Sequence, residues 1–338
     1  DLVYRNVTGM YMAQLSGRTN SGSNVTNFLD LIGNNRIVDD PYAQDGSGAI
    51  VDMGAFERMY NLDDISIWTG ANSSSLTDPE NWLPASSPTS ATTMFFHSTT
   101  TNVFAQIDDQ LNVNDLIVTA GNVLIDLGAN AIQFNSPVNP LQVGGSDNYA
   151  SLLLRGVDSS IYTKNTPTEL YKGHIEFDGI SLYTPNLTIK DGSLLGFNGT
   201  TYSDLTNVGG VVETAGRAIG SFTIDGDLIN MGKHGPTGNL VGSLGFDING
   251  TTPEIDHDLL NVIGEADMTC LIDLRWNSTF TPAVGDTFDI MTVGTSSGSP
   301  SIVYSDGLPP NLAIRWVNPT GLRVGEEIII ETTGPILF

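Results

Sequence analysis

Carboxylates are the residues of this sequence whose types and spacing could do chemistry. The chain has 38 Asp and Glu residues, and some form close pairs, such as Asp39/Asp40 and Asp225/Asp227. Two carboxyl groups about 5–10 Å apart across a groove are what a glycoside hydrolase needs. A polysaccharide lyase also needs a basic side chain in that groove, and only 13 Lys and Arg are spread along the chain. Because no G-x-S-x-G, P-loop or Cys-His motif occurs either, we predict that the chain is not an enzyme.

Calcium binding is a second use for these acids. Hard cations take carboxylate and backbone carbonyl oxygens, and turns rich in Asp and Gly supply both. Six aspartates in two such segments are candidate calcium ligands: Asp39, Asp40, Asp45, Asp52, Asp225 and Asp227. Their spacing does not fit an EF-hand loop, and none of the four histidines has metal-ligand spacing. Ca²⁺ is therefore the one cofactor that the sequence suggests.

The charge of the chain restricts its partners. The formal net charge is −25, which repels nucleic acid and anionic lipid headgroups. The longest apolar runs are too short to cross a bilayer, so we expect no direct membrane insertion. Salt or divalent cations at a cell exterior would screen the carboxylates and allow copies of the chain to pack together.

The elements that must position these residues are short β-strands. Hydrophobic residues make up 40% of the chain, and 37 glycines and 16 prolines interrupt runs rich in Thr, Val and Ile. Segments 187–194 (LTIKDGSL) and 222–228 (FTIDGDL) echo each other, and both alternate apolar with polar residues before a turn. The spacing of such units is irregular, which predicts an all-β degenerate solenoid or sandwich stack. The single cysteine, Cys270, lies in a strand-like run and is predicted to be a buried small hydrophobe.

Two segments near the start carry a family resemblance. D-x-x-G-x-x-R-I at 30–37 and V-D-M-G-A-F-E at 51–57 resemble the closing rungs of right-handed parallel β-helices in large bacterial surface proteins. The motif W-x-G at 68–70, followed by Asn81 and Trp82, resembles the opening of autotransporter-like passenger repeats and planctomycete-type surface proteins. We interpret Trp68 and Trp82 as core aromatics, with a sugar-binding platform as the alternative.

The last hundred residues carry a second resemblance. The stretch from Leu244 through Asp286 to Glu331 is similar to the C-terminal module of autotransporter-like and exosortase-sorted surface proteins. The resemblances imply an all-β chain that begins with the terminal coils of a right-handed parallel β-helix, continues as a stack of short strands and ends in a β-sandwich-like module. The expected domains are 1–60, the end of the β-helix; 61–145, a strand-rich module opened by two Trp; and 146–338, a β-solenoid or β-sandwich module.

We therefore expect an extracellular structural protein of the cell surface, a subunit of a surface layer, sheath or filament. It would assemble with copies of itself or with other surface proteins through β edges, and divalent cations could take part. An adhesin or carbohydrate-binding module of a larger secreted protein is the alternative, with glycans as partners. A fragment of a polysaccharide-degrading β-helix enzyme is the second alternative. Seven N-x-[ST] sequons permit glycosylation: Asn6, Asn24, Asn72, Asn186, Asn198, Asn249 and Asn277.

Overall fold

The computed structural model of the protein describes residues 64–300, apart from short gaps, and five further strands. The gaps are 99–101, 138–139, 145–149, 164–165, 171–172, 191, 215–217, 232, 236–237, 241 and 278. The further strands lie at 4–7, 10–13, 302–306, 312–317 and 321–326. The terminal β-helix coils predicted in 1–60 lie outside the residues described in full.

The described residues form twenty-eight β-strands and one short 3₁₀ helix, Pro79–Asn81, and no α-helix. In chain order the strands are β1 (Tyr4–Val7), β2 (Met10–Ala13), β3 (Ile65–Trp68), β4 (Trp82–Leu83), β5 (Thr93–His97), β6 (Val103–Gln106), β7 (Leu111–Val113), β8 (Asp115–Gly128), β9 (Ala131–Phe134), β10 (Leu141–Val143), β11 (Ala150–Thr163), β12 (Thr168–Leu170), β13 (His174–Lys190), β14 (Ser193–Phe197), β15 (Gly199–Val208), β16 (Val211–Glu213), β17 (Ser221–Ile224), β18 (Leu228–Met231), β19 (Lys233–Gly235), β20 (Gly238–Leu240), β21 (Ser243–Ile248), β22 (Leu259–Asp267), β23 (Leu271–Trp276), β24 (Thr287–Asp289), β25 (Met291–Ser297), β26 (Ile302–Asp306), β27 (Leu312–Val317) and β28 (Gly321–Glu326).

Parallel pairing arranges most of these strands as a β-helix with three faces. Face 1 consists of β6, β8, β11, β13, β14, β16, β21, β23 and β26, each paired with the next. Face 2 consists of β7, β9, β11, β13, β15, β17, β22 and β25. Face 3 begins with β3, β5, β8 and β10 and continues with β12, β13, β15, β18, β22 and β25. The predicted all-β, β-helix-like class is confirmed.

Long strands turn the corners of the helix and so join its faces. β13 supplies residues 174–178 to face 1, 180–183 to face 2 and 187–190 to face 3. Coil length is uneven, because Leu187 pairs with Leu205 after a short coil, whereas Ile224 pairs with Val262 after a much longer one. The extra residues form insertions outside the ladder, including the hairpin of β19 and β20. Uneven coils explain why the strand units of the sequence show no fixed period.

The core fills the interior of the helix from rung to rung. On each strand, alternate side chains point inward, and burial follows that alternation in β11, β13 and β15. Phe177, Phe222 and Phe246 are among the largest side chains with almost no exposure. Burying a side chain of this size contributes about 1.5–3 kcal/mol, and each rung obtains that burial only from its neighbours.

Glycines at the corners allow successive coils to stack closely. Gly226, Gly264 and Gly294 follow one another at the corner between faces 2 and 3. A Cβ on Gly264 would come within 2.7 Å of the Gly226 carbonyl oxygen, and one on Gly294 within 2.8 Å of the Gly264 carbonyl oxygen. The corner therefore requires residues without a side chain in three consecutive coils.

The structure also bears on membrane insertion. Among the residues described, no helical segment has the length and apolar character that crossing a bilayer would require. A separate antiparallel sheet pairs β24, which lies between β23 and β25 in the chain, with β28, and β28 with β27. The right hand of the β-helix and the three domain boundaries remain predictions.

Candidate functional site

Three tyrosines from consecutive coils form a ladder on the outside of face 2. Tyr162 pairs with Tyr183, and Tyr183 pairs with Tyr202, in the parallel ladder. The ring centroids of the first pair are 4.7 Å apart with an interplanar angle of 11°, and those of the second pair are 4.4 Å apart with an angle of 1°. The three rings therefore form one continuous stack across three coils.

The sequence places these rings outside because their neighbours point inward. Ile161 and Leu182 are fully buried before the first two tyrosines, and Thr163 and Thr184 are buried after them. The hydroxyl that follows Tyr162 forms a hydrogen bond within the adjoining corner, where Thr163 Oγ1 donates to the Thr166 carbonyl oxygen at 2.9 Å. The tyrosine between two such residues must face solvent, because successive side chains of a strand alternate.

The stack is offset and leaves part of each outer ring exposed. Stacked carbon atoms touch at about 3.5–4.0 Å, so centroid distances of 4.4 and 4.7 Å mean that the rings are displaced sideways. Tyr162 and Tyr202, at the two ends, each keep 40% of their surface exposed. Burial raises the pKa of Tyr183, and its hydrogen bond with Tyr202 raises it further, so the Tyr183 phenol stays neutral and able to donate.

A shallow groove runs beside the ladder. It has a volume of about 400 Å³ and is lined by the three tyrosines together with Gln133, Thr163, Thr184 and Pro185. Gln133 belongs to the preceding coil, where it pairs with Tyr162. All these lining residues are uncharged, although the chain as a whole carries a net charge of −25. The groove therefore combines aromatic surface, three phenols and one amide without a charge.

A charged network occupies the outside of face 1. Arg275 Nη1 lies 3.3 Å from Glu213 Oε1, and Arg275 Nε lies 2.8 Å from Asp247 Oδ1. Gly245 lies between them, and a Cβ there would be 3.2 Å from Glu213 Cγ. Burial raises the pKa of Asp247, while the guanidinium of Arg275 opposes that rise. The carboxylates nearest to the arginine are thus held in ion pairs.

A buried carboxyl lies next to that network. Asp258 is fully buried, and its two oxygens accept hydrogen bonds from the backbone N–H groups of Gly220 at 3.1 Å and Asp247 at 2.8 Å. Burial raises its pKa to about 7, despite those two hydrogen bonds. Asp258 connects the turn at Gly220 to β21, so its chemistry concerns the stability of the fold.

The predicted calcium ligands fall into two groups. Asp39, Asp40, Asp45 and Asp52 lie outside the described residues. Asp225 is exposed in the turn between β17 and β18, and Asp227 Oδ1 accepts a hydrogen bond from the Glu265 N–H at 2.7 Å. Within the described part of the chain, no three Asp, Glu, His or Cys side chains form a cluster able to hold a metal ion.

The two tryptophans lie in the core at the start of the described helix. Trp68 is 7% exposed and Trp82 is 2% exposed, and their rings meet edge to face with centroids 5.0 Å apart. Trp82 Nε1 donates to the Leu76 carbonyl oxygen at 2.8 Å, and both rings contact Phe96. The structure therefore places them as core aromatics and leaves no broad ring face for a sugar.

The remaining residues singled out in the sequence are the asparagines of the N-x-[ST] sequons and Cys270. Four sequon asparagines, Asn72, Asn198, Asn249 and Asn277, are exposed, whereas Asn186 is half-buried. Asn6 and Asn24 lie outside the residues whose side chains are described. Cys270 is fully buried, as predicted, and burial raises its pKa to about 12.

The tyrosine ladder was missed at the level of sequence, although a signal for it exists. The three tyrosines occur in the tripeptides Ile161–Thr163, Leu182–Thr184 and Thr201–Ser203, which share the pattern inward residue, Tyr, hydroxyl residue. Their unequal separations along the chain become meaningful only once the coil lengths are known.

Scans of protein families and of curated proteins found no match to the chain. The fold and surface thus define its class: an acidic parallel β-helix protein with a neutral aromatic groove.

Proposed function

We propose that the chain is an extracellular structural protein of the cell surface, which serves as a rod in a surface layer, sheath or filament. The observation that supports this proposal is the uninterrupted parallel ladder of face 1, which runs from β6 to β26. Each rung is hydrogen-bonded to the next and covers its apolar interior. Such a structure forms a stiff spacer, because bending it would break several parallel pairings at once.

The composition of the chain fits this role. The strands at the ends of a β-helix have unpaired edges, which can aggregate with other chains. A net charge of −25 opposes such aggregation, because separate copies of the chain repel each other. Assembly would then depend on screening of that charge by salt or by divalent cations. Copies of the chain would meet end to end, where the rungs of one molecule can pair with those of another.

The proposal is tested by localisation and by microscopy. Antibodies raised against the purified protein should label intact cells of the source organism, and the label should disappear after surface proteolysis. Labelling that requires permeabilised cells would refute the extracellular assignment. The nine rungs of face 1, at about 4.8 Å each, predict a rod segment about 40 Å long for this part of the chain.

Assembly requires a separate experiment. Electron microscopy of the purified protein would be done with millimolar calcium and again after chelation. Sheets or filaments that form with calcium and dissolve on chelation would support cation-dependent assembly. Particles of one rod length under both conditions would show that this chain does not assemble by itself, and would leave the adhesin alternative as the better proposal.

A further inference from the structure

We propose that the groove beside Tyr162, Tyr183 and Tyr202 is a binding site for a neutral glycan. One sugar ring would stack on the exposed part of Tyr162, and its hydroxyls would bond to the Gln133 amide and to the phenols of the ladder. The proposal does not depend on the rod function, because a glycan site can serve an adhesin, a surface layer or a free protein equally well.

The dimensions and chemistry of the groove support a ligand of this class. The groove has a volume of about 400 Å³ and is shallow and open, which suits an extended chain lying along the surface better than a small molecule enclosed in a cleft. A tyrosine presents an apolar ring and a polar hydroxyl together, which matches a sugar with C–H groups on its face and hydroxyls at its edge. Gln133 adds one acceptor and two donor hydrogens beside Tyr162.

The charge distribution favours a neutral glycan over an acidic one. The described lining residues carry no charge, so neither a carboxylate nor a sulfate would find a cation among them. An anionic polymer would also approach a molecule of net charge −25 against electrostatic repulsion. The groove binds best a ligand that needs hydrogen bonds and apolar contact alone.

The stacking of the rings argues against a proline-rich peptide. Such peptides dock in aromatic-lined grooves with their proline rings between side chains. Here the ring centroids lie 4.7 and 4.4 Å apart and the rings are in contact, so no cleft opens between them. The usable surfaces are the exposed part of Tyr162, the exposed part of Tyr202 and the row of phenols. A sugar chain lying along the ladder uses all three.

Affinity electrophoresis of the whole chain tests the proposal directly. The gels would contain an unbranched neutral glucan, a neutral mannan or polygalacturonate, and a proline-rich peptide would be tested by calorimetry. We expect retardation by at least one neutral polysaccharide and none by polygalacturonate. Retardation by polygalacturonate alone, binding of the peptide alone, or no retardation in any gel would overturn the proposal.

Variants separate stacking from hydrogen bonding. Gln133→Ala and Tyr162→Ala should each weaken binding about ten-fold, since tenfold corresponds to about 1.4 kcal/mol. The triple change of Tyr162, Tyr183 and Tyr202 to Phe keeps the stack and should also weaken binding about ten-fold. Phe104→Ala is the matched control, because Phe104 is 47% exposed but lies on face 1.

Folding of each variant is checked by circular dichroism and by its thermal midpoint. If Tyr162→Ala unfolds the chain, Gln133→Ala and the triple Phe variant still decide the question, since neither removes a ring. Binding equal to that of the unchanged protein in both of these variants would refute the site. Weakening by Phe104→Ala to the same extent would place the glycan elsewhere.

Discussion

Replacement of Asp258 by Asn should remove a large part of the pH dependence of stability. Asp258 is fully buried and accepts hydrogen bonds from the backbone N–H groups of Gly220 and Asp247. Burial raises its pKa from the usual value of 3.8 to about 7, and the carboxylate of Asp247 adds to that rise. In the folded protein the group therefore stays protonated across a pH range in which it is ionised in the unfolded chain.

The sign of the effect follows from proton binding. Between about pH 4 and pH 7 the folded state binds a proton at Asp258 that the unfolded state has lost, so stability falls as the pH rises. One pH unit in this range corresponds to about 1.4 kcal/mol, and the whole range to about 4 kcal/mol. Above pH 7 both states are ionised, and the contribution of Asp258 no longer changes.

Urea unfolding followed by circular dichroism at several pH values between 4 and 8 measures this effect. The asparagine variant loses one of the two backbone hydrogen bonds, which lowers its stability by a similar amount at every pH. Relative to that variant, the unchanged protein should lose about 4 kcal/mol between pH 4 and pH 8. Asp109→Asn, which removes an exposed carboxylate from the bend between β6 and β7, is the control and should leave the slope unchanged.

Two parallel curves for the unchanged protein and for Asp258→Asn would refute this reasoning. They would mean that the two backbone hydrogen bonds stabilise the carboxylate enough to offset its burial. Comparison of the two proteins is essential, because burial also raises the pKa of Glu176 and of Asp247. Glu176 contributes in the same direction to both curves, whereas Asp247 interacts with Asp258, so its coupling to that carboxyl is part of the difference between the curves.

Three further predictions concern packing, charge and the thiol. Gly196→Ala should lower the free energy of unfolding by about 1–3 kcal/mol in urea titrations, because the added Cβ would lie 2.2 Å from the buried Phe222 ring. An unchanged urea midpoint would contradict this packing. Arg275→Ala should lower the free energy of unfolding by about 1 kcal/mol at low salt and by less at high salt, because the side chain is 36% exposed and solvent screens its ion pairs. A loss of stability that does not depend on salt would argue against an electrostatic origin. Cys270 should not react with a thiol reagent in the native protein and should react fully in urea, because it is buried and has a pKa of about 12. Rapid labelling of the native protein would show that the segment around Cys270 opens.

Several elements of the fold could be predicted from the sequence. The run at 187–190 alternates apolar with polar residues, which predicts a strand, and it forms the face 3 part of β13. Cys270 lies in a strand-like run with apolar neighbours, which predicts that it is buried, and the structure confirms this. These properties depend on a few adjacent residues, so short windows of sequence are sufficient to find them.

The candidate site could not be predicted in the same way. Gln133, Tyr162, Tyr183 and Tyr202 come from four different coils, and the groove exists only where those coils are in register. The sequence points instead to Trp68 and Trp82, because residue type and proximity along the chain are visible without a structure. Their burial against Phe96 depends on how β3, β4 and β5 pair.

The all-β class, the short strands with their turns, and the acidity of the chain all follow from the amino-acid sequence without a structure. Alternation, glycine content and charge are local or additive properties, and they are already present in the unfolded chain. The tertiary fold was needed to establish which residues are neighbours along the axis of the helix. Coils of such different lengths have no common period, so the register of each coil is set by how its core side chains pack on the coil before it.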